Sequence, residues 1–177
     1  PATSANRFYE YKPATDVYGG VTAAGTSFET AKGYLIRMPD NHPTSPTAWN
    51  GAFIGKPNSG TITIGLSTAG TGFNAVGNPY PSPISIATFL SENSSVIGSD
   101  LYFWRKTNNP NNLITPTTSY ITYSGGTYSS GSEPNYNIQP GQGFFVKNTS
   151  ATPTITFKES DKVTNASSKK LIFQKNP

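Results

Sequence analysis

The feature that most constrains the fold is a run of two X-Pro bonds near the middle of the chain, Asn78-Pro79-Tyr80-Pro81. Each proline removes a backbone donor and pushes the preceding residue out of the helical region. A strand that begins near Phe73 must therefore stop at Gly77 or Asn78, and a rigid corner must follow. Tight X-Pro corners are also where cis peptide bonds occur, so we predict a cis Tyr80–Pro81 bond.

A short helix is predicted immediately after this corner. Ser82 can cap a helix that has Pro83 in its first turn. Ile86, Phe89 and Leu90 then share one face at helical spacing, which is typical of a helix packed on a core. A strand, a proline corner and one or two helical turns make an ordered junction.

Composition indicates an all-β domain around the junction. Hydrophobic residues make up only 34% of the 177 residues and charged residues 12%, while 17 Gly and 15 Pro supply turns. A disordered chain would have few aromatic residues, whereas this one has 10 Tyr, 10 Phe and 2 Trp. Many short strands separated by turns are the expected result.

The chain repeats one order of segments on the two sides of the junction. The order is an aromatic strand, a Gly-aromatic-aliphatic-basic strand and a Thr/Ile strand, at residues 8–11, 32–37 and 61–64 and again at 101–104, 142–147 and 154–157. The halves, about 7–66 and 100–158, are linked by 72–98. Because units this small bury too little surface to be stable alone, we predict one domain over 1–177. The predicted fold is an antiparallel β-sandwich of two similar halves joined by the corner and helix; chance similarity of short β patterns is the alternative.

Local patterns fix several further expectations. Residues 49–54 and 61–66 are predicted to form a hairpin. Residues 16–20 are predicted to form a turn in which Gly19-Gly20 supplies positive φ, and residues 125–137 are predicted to form a loop. The expected core consists of apolar side chains from these strands: Phe8, Tyr34, Ile36, Phe53, Ile62, Ile64, Phe73, Phe89, Leu90, Leu101, Phe103, Ile121, Phe144, Val146, Ile155 and Phe157.

Catalytic and metal-binding patterns are scarce. His42 is the only histidine, there is no cysteine, and the nine acidic residues are spread singly. A glycosidase needs two carboxylates facing across a cleft, and no motif here predicts such a pair. We therefore predict no catalytic residues, no metal ligands and no cofactor. An enzyme of another type remains the alternative and would require paired carboxylates or His42 beside a polar partner.

Aromatic side chains are the remaining candidates for function. Sugar rings stack their C–H faces on flat aromatic side chains. The residues that could present such faces are Trp49, Trp104, Tyr120, Tyr123, Tyr128 and Tyr136, and we take Trp49, Trp104, Tyr128 and Tyr136 as the candidate glycan-stacking residues. Tyr128 and Tyr136 lie in a Gly/Ser-rich stretch, so we expect them to be exposed. Trp104 shares a strand face with Tyr102, which lies either on an outer surface or beneath the 106–118 loop.

The remaining bulk properties bear on partners. The net charge is +4, and the cations are dispersed apart from a C-terminal lysine cluster, so we predict no nucleic-acid partner. No apolar run approaches the roughly 20 residues that cross a bilayer, so we also predict no membrane insertion.

Five segments carry a family resemblance, in a shared order. They are residues 7–11 (RFYEY), 32–39 (KGYLIRMP), 53–60 (FIGKPNSG), 73–89 (FNAVGNPYPSPISIATF) and 140–147 (PGQGFFVK). These segments resemble the RFYxYN, KGYLIRAP, FxGxPNNG, GxNLxGNPYPSxIDxxxFL and GQGFFVK signatures of β modules from Bacteroidetes, especially flavobacteria. The proteins that carry these modules leave the cell by type IX secretion.

The resemblance implies a non-catalytic module of a secreted or cell-surface protein, acting as a structural spacer or an adhesion unit. A carbohydrate-binding module is the alternative. The implied partners are neighbouring domains of a larger chain and a polysaccharide or surface protein. Contact with the secretion machinery would come from a separate sorting domain, which is not seen in this sequence. The family's acids after the corner are replaced here by Ser85 and Thr88, so any role of those acids does not carry over.

Overall fold

The computed structural model describes residues 8–20, 27–36, 55–106, 118–129 and 137–163. Its strands are β1 (Phe8–Lys12), β2 (Val17–Gly20), β3 (Tyr34–Ile36), β4 (Ile62–Gly65), β5 (Phe73–Gly77), β6 (Ile84–Ser85), β7 (Ile97–Lys106), β8 (Thr118–Ser124), β9 (Thr127–Tyr128), β10 (Asn137–Ile138), β11 (Gly143–Asn148) and β12 (Thr154–Phe157). Helix α1 (Ile86–Glu92) and a 3-10 helix (Glu159–Asp161) complete the described elements. The predicted all-β class with one short α-helix is confirmed.

Every strand pair in the described part of the chain is antiparallel. The largest sheet has the order β5-β11-β7-β8-β9, a second has the order β2-β1-β3, and β10-β6 and β12-β4 form two-stranded sheets. A bridge between Lys32 and Val76 joins the chain just before β3 to the outer edge of β5. Strand β5 ends at Gly77, which confirms the prediction that the strand stops at Gly77 or Asn78.

The core lies on one face of the five-stranded sheet. Phe144 of β11 meets Phe89 of α1 with ring centroids 5.6 Å apart, and Phe89 stacks on Phe157 of β12 at 4.9 Å. The helix and the β12-β4 sheet thus cover this face. The buried apolar residues of this cluster include Ile64, Val76, Tyr80, Ile84, Ile86, Phe89, Leu101, Phe103, Ile121, Phe144, Val146, Ile155 and Phe157.

The opposite face of the same sheet is partly covered by the three-stranded sheet. Phe145 of β11 lies on this face, and its ring packs edge-on against Tyr11 of β1 at 4.8 Å and against Tyr18 of β2 at 6.3 Å. Phe145 is accordingly buried, although its neighbours along β11 point into the core. The sandwich-like arrangement therefore has layers on both sides of the central sheet.

Strand registers support the repeat. In the first half Phe8 pairs with Ile36 and Tyr9 with Leu35. In the second half the corresponding positions pair in the same way, Leu101 with Val146 and Tyr102 with Phe145. A chance likeness of short β patterns would not require the two ladders to share a register.

The two Thr/Ile strands pair with each other across the halves. Thr63 lies opposite Thr156, and these threonines occupy equivalent positions of the repeat. The flanking pairs, Ile64 with Ile155 and Ile62 with Phe157, exchange places when the two halves are exchanged. The β4–β12 ladder is therefore self-equivalent about its central threonine pair, as expected at the contact between two similar halves.

Two details of the junction differ from the sequence-based prediction. No cis peptide bond occurs in the described residues, so the prediction of a cis Tyr80–Pro81 bond is wrong. The helix is capped by Ser85, whose hydroxyl accepts the Thr88 N–H at 3.3 Å, so the prediction of a Ser82 cap is also wrong. The later start follows from tertiary pairing, because Ile84 and Ser85 first form β6 against β10.

Three local expectations also need correction. Residues 16–20 are not a turn: the chain turns at 13–16, Asp16 takes the positive φ of 54°, and Gly19-Gly20 lie in β2. The expected 125–137 loop contains β9 and the first residue of β10. The 49–54 half of the predicted hairpin lies outside the described residues, as does Phe53, while β4 pairs with β12.

The predicted core is largely confirmed, with exceptions at its edge. Ile36 is 44% exposed, so its placement in the core is wrong. Phe8, Tyr34 and Phe73 are only partly buried. These residues belong to the three-stranded sheet or to the outer face of β5, and the alternation of strand side chains takes them away from α1.

Candidate functional site

The proline corner is braced by the buried side chain of Asn78. Its Nδ2 lies 2.9 Å from the Ser82 carbonyl oxygen, 3.0 Å from that of Ile138 and 3.1 Å from that of Gln139. Its Oδ1 accepts the Tyr80 N–H at 3.0 Å. An amide has two N–H donors, so three carbonyls share two hydrogens. Because only 4% of Asn78 is exposed, these contacts fix the corner from inside.

Tyr80 extends this bracing to two other parts of the chain. Its hydroxyl lies 2.6 Å from the Gly60 carbonyl oxygen and 2.8 Å from that of Phe157, at the end of β12. Burial, followed by the nearby carboxylates of Glu159, Asp161 and Glu92, raises the pKa of Tyr80 to about 12. The side chain is therefore a neutral donor at physiological pH, and Lys162 Nζ lies 4.3 Å from its ring centroid.

Two further buried amides tie α1 and β11 to the same frame. Asn93, which follows α1, donates to the carbonyl oxygens of Phe89 and Thr156 at 2.9 Å each and accepts the Thr156 N–H at 2.8 Å. Gln142 accepts the Gln139 N–H at 2.8 Å, and its own carbonyl accepts the Asn78 N–H at 3.1 Å. Neutral amides that hold backbone groups in this way position secondary structure and supply no acid, base or nucleophile.

A second candidate site is the outer aromatic face, defined as Phe73, Tyr102, Trp104 and Tyr120. It lies on the side of the five-stranded sheet opposite α1. Phe73 and Tyr102 meet edge-on at 5.3 Å, and Trp104 and Tyr120 meet edge-on at 5.0 Å. Trp104 is partly buried and Tyr120 is 43% exposed, so this pair presents aromatic surface to solvent. Edge-on pairs hold rings in fixed relative orientations, as a stacking site requires.

The outer aromatic face consists of neutral rings with charged groups nearby. Burial is the main cause that raises the pKa values of Tyr102 and Tyr120 above the ordinary value for tyrosine. Burial likewise raises the pKa of Tyr18, and the proximity of Tyr120 adds to the shift. Among the neighbouring cations, Lys147 places its Nζ 5.6 Å from the Phe73 ring centroid. The face therefore offers neutral rings, with Lys147 beside Phe73 and with the carboxylates of Asp100 and Asp16 near Tyr102 and Tyr120 respectively.

The structure distributes the predicted stacking residues unevenly. Trp104 lies on the outer aromatic face together with Tyr102, as strand alternation predicts. Tyr128 is only 6% exposed and packs edge-on against Phe103 at 6.0 Å and Tyr123 at 5.2 Å, so the expectation that it is exposed is wrong. The physical reason is that β9 pairs with β8 and carries Tyr128 into the core. Trp49 and Tyr136 lie outside the described residues.

Of the four members of this face, only Phe73 was not among the aromatic residues considered for an exposed surface. Tyr120 is exposed as expected, whereas Tyr123 is only 6% exposed, so the expectation that it presents a flat face is wrong. Tyr120 alternates with the buried Ile121 on β8, and this alternation was the signal that places Tyr120 on the outer face. Phe73 pairs with Lys147 on the outer edge of the sheet, although its strand pattern predicted a place in the core. Only pairing to β11 decides which side of β5 faces α1.

Clustered metal ligands are absent from the ranges given above, since no three side chains of His, Cys, Asp or Glu come together there as a metal-ion site. A shallow depression lies between α1 and the hairpin of β8 and β9, lined by Ala87, Leu90, Ser91, Gly98, Tyr123 and Gly126. Its lining contains small, apolar and hydroxyl side chains and supplies neither a carboxylate nor an imidazole for acid–base chemistry.

A family model matches residues 1–177, which is the whole chain. The chain belongs to DUF8693, a domain family of unknown function. No curated protein and no solved structure matches this DUF8693 chain. In the part of the chain that the structure describes, no helix is long and apolar enough to cross a membrane.

Proposed function

We propose that this DUF8693 chain is a non-catalytic, extracellular module of a larger bacterial surface or secreted protein, and that it acts as a structural spacer or adhesion unit. The observation that carries the proposal is how the signature residues are used. Asn78, Tyr80 and Gln142, which belong to the segments that resemble type IX-secreted modules, all direct their side chains to backbone groups of the fold. An active site would leave such residues open to a ligand.

The braced corner suits a module that must keep its shape between other domains. Asn78 and Tyr80 connect the corner to the carbonyl groups at β10 and at the end of β12, which are about 60 and 77 residues distant in sequence. Contacts of such long sequence separation make local opening costly, because the corner cannot open without disrupting both strands. We therefore expect a single cooperative unfolding transition whose midpoint is independent of small ligands.

Carbohydrate binding through the outer aromatic face is the second candidate function. The observation that favours it is the Trp104–Tyr120 pair, which is oriented by edge-on contact at 5.0 Å and is partly open to solvent. Sugar rings present C–H faces that stack on such rings. This candidate and the spacer make opposite predictions for binding to polysaccharides.

A polysaccharide pull-down and glycan array on this chain would separate the two functions. Tyr120→Ala and Trp104→Ala remove the two rings, and Phe28→Ala removes a similarly exposed ring that packs instead on Phe8 and Tyr34. Carbohydrate recognition predicts saturable binding that weakens at least tenfold in the first two variants and is unchanged in the third. A spacer predicts no glycan binding in any of the four proteins.

A further inference from the structure

The carboxyl groups of Glu92 and Asp161, far apart in sequence, lie within hydrogen-bonding contact of each other beside the end of helix α1. Glu92 is the last residue of α1. Its Oε1 forms an ion pair with Lys158 Nζ at 3.2 Å and accepts a hydrogen bond from Ser160 Oγ at 3.3 Å. Glu92 therefore reaches across to the 3-10 helix. Asp161 ends that helix, is 0% exposed, and accepts the Lys158 N–H on Oδ2 at 2.8 Å.

The other oxygen of each acid is left without a donor. Glu92 Oε2 and Asp161 Oδ1 are both buried and accept no hydrogen bond from the described residues. Ionised carboxylates are acceptors only, so two of them cannot satisfy each other. A single proton changes this, because a protonated carboxyl donates to its ionised neighbour.

We infer that Asp161 keeps a proton that it donates to Glu92, and that this hydrogen bond holds residues 158–163 against helix α1. The other attachments of this segment include the Val163 N–H donated to the Pro83 carbonyl at 3.0 Å, a bridge between Lys162 and Ile84, and the Gly60 N–H donated to Glu159 Oε1. Loss of the proton places a negative charge on the fully buried Asp161, directly beside the partly buried Glu92 carboxylate. Repulsion between them then loosens the segment from the helix.

The charged groups around the pair reduce this repulsion but do not remove it. Lys158 forms an ion pair with Oε1 of Glu92 at 3.2 Å and lowers the pKa of Asp161, but its side chain is 47% exposed, and burial together with Glu92 outweighs its effect. Lys162 forms an ion pair with Glu159. Tyr80, which faces the acids from the corner, uses its hydroxyl on the carbonyl oxygens of Gly60 and Phe157. Neither lysine nor the tyrosine contacts the two orphaned oxygens.

The sign of the pH dependence follows from Asp161. Burial, and then the neighbouring Glu92, raises the pKa of Asp161 from 3.8 to about 6 in the fold, even though the Lys158 N–H opposes the shift. The folded state therefore binds this proton more tightly than the unfolded chain does. The pair therefore stabilises the fold most below about pH 4, and this stabilisation is lost as the pH rises through about 6. The folding equilibrium constant should fall roughly 100-fold over that range.

Asp161→Asn is the decisive variant, because an asparagine keeps an acceptor for the Lys158 N–H and supplies a permanent donor toward Glu92. Other acids have pKa values lowered by lysines, including Glu10 by Lys12 and then Lys32, and their contribution to stability has the opposite pH dependence. The difference in the free energy of unfolding between wild type and variant at each pH cancels such contributions, because both proteins contain these other acids. Glu29→Gln, at an exposed acid, serves as the matched control.

The experiment is urea unfolding from about pH 4 to about pH 8, with amide hydrogen exchange at Val163. We expect the folding equilibrium constant of Asp161→Asn to gain roughly 100-fold over wild type across this range, while Glu29→Gln follows wild type. Wild type alone should lose Val163 protection at the higher pH. If Asp161→Asn does not fold, Glu92→Gln supplies the same donor from the other side of the pair.

Two results would overturn the inference. One is a pH profile of the Asn or Gln variant that runs parallel to wild type, because the pair would then hold no proton. The other is a wild-type stability that does not depend on pH in the absence of Ca²⁺, but that rises on addition of millimolar Ca²⁺ at about pH 8 while the stability of the variant does not. In that case the pair would be a cation site.

Discussion

Asn78→Asp tests the bracing of the proline corner with almost no change in side-chain shape. The asparagine directs its –NH2 group at three carbonyl oxygens between 2.9 and 3.1 Å away. An aspartate in its place would present an oxygen to the same three carbonyls. The contact that accepts the Tyr80 N–H would be retained.

The expected loss follows from the number of donors removed. Two N–H donors disappear, and each buried acceptor left unsatisfied costs about 1–3 kcal/mol, so the free energy of unfolding should fall by about 4 kcal/mol at neutral pH. This is a large fraction of the roughly 5–15 kcal/mol that is typical of domains. Burial and the facing carbonyls should also raise the pKa of the new carboxyl, so protonation at lower pH should restore one donor and part of the stability.

Urea unfolding followed by circular dichroism at about pH 7 and about pH 4.5 measures both effects. Asn58→Asp is the matched control, because Asn58 also donates to a carbonyl, that of Pro79 at 2.9 Å, but is exposed. We expect the control to lose no more than about 0.5 kcal/mol. Equal losses in the two variants would show that the buried Asn78 contacts do not hold the corner.

Two pairs of substitutions test packing, one pair beside β5 and the other in helix α1. Gly33→Ala would place a Cβ 2.8 Å from the Val76 carbonyl oxygen, whereas the Cβ of Gly143→Ala would lie 3.6 Å from the same atom. Thermal unfolding should therefore show Gly33→Ala to be less stable than Gly143→Ala by about 1–3 kcal/mol. Similar melting temperatures would contradict this. Phe89→Ala should lower the free energy of unfolding by about 3–5 kcal/mol, because the ring is fully buried, and Leu90→Ala should lower it less, because Leu90 is only partly buried. Equal urea midpoints for those two variants would contradict the assigned helix face.

The position of the corner was predictable because it follows from local chemistry. Proline lacks a donor, so the strand had to end beside Asn78, and it ends at Gly77. The cap of α1 was not predictable in the same way. Ser82 and Ser85 are equally good caps by residue type, and pairing of β6 with β10 selects Ser85.

The wrong prediction for Tyr128 had a local signal that was missed. Gly125 and Gly126 both have positive φ and connect Ser124 to Thr127, which is the geometry of a tight hairpin. Two consecutive glycines between strand-forming residues predict such a turn. The hairpin then places Tyr128 beside Tyr123, inside the core.

The meeting of Glu92 with the segment around Asp161 carried no signal in the sequence. The two acids lie on a helix and on a 3-10 helix that follow different strands, and only the packing of α1 against β12 brings them together.

The outer aromatic face was partly predictable, since alternation along β7 placed Tyr102 with Trp104. Its Phe73 member depended on the pairing of β5 with β11.

Native-state hydrogen exchange at the corner tests the central claim most directly, namely that the signature residues brace one cooperative fold. The Tyr80 amide is bonded to Asn78, and the Thr156 amide is bonded to Asn93. We predict that both amides exchange only through global unfolding, with a free energy of exchange equal to that from urea unfolding. Exchange of the Tyr80 amide through a local opening several kcal/mol below the global value would contradict the account, because the corner would then be free to move for a ligand.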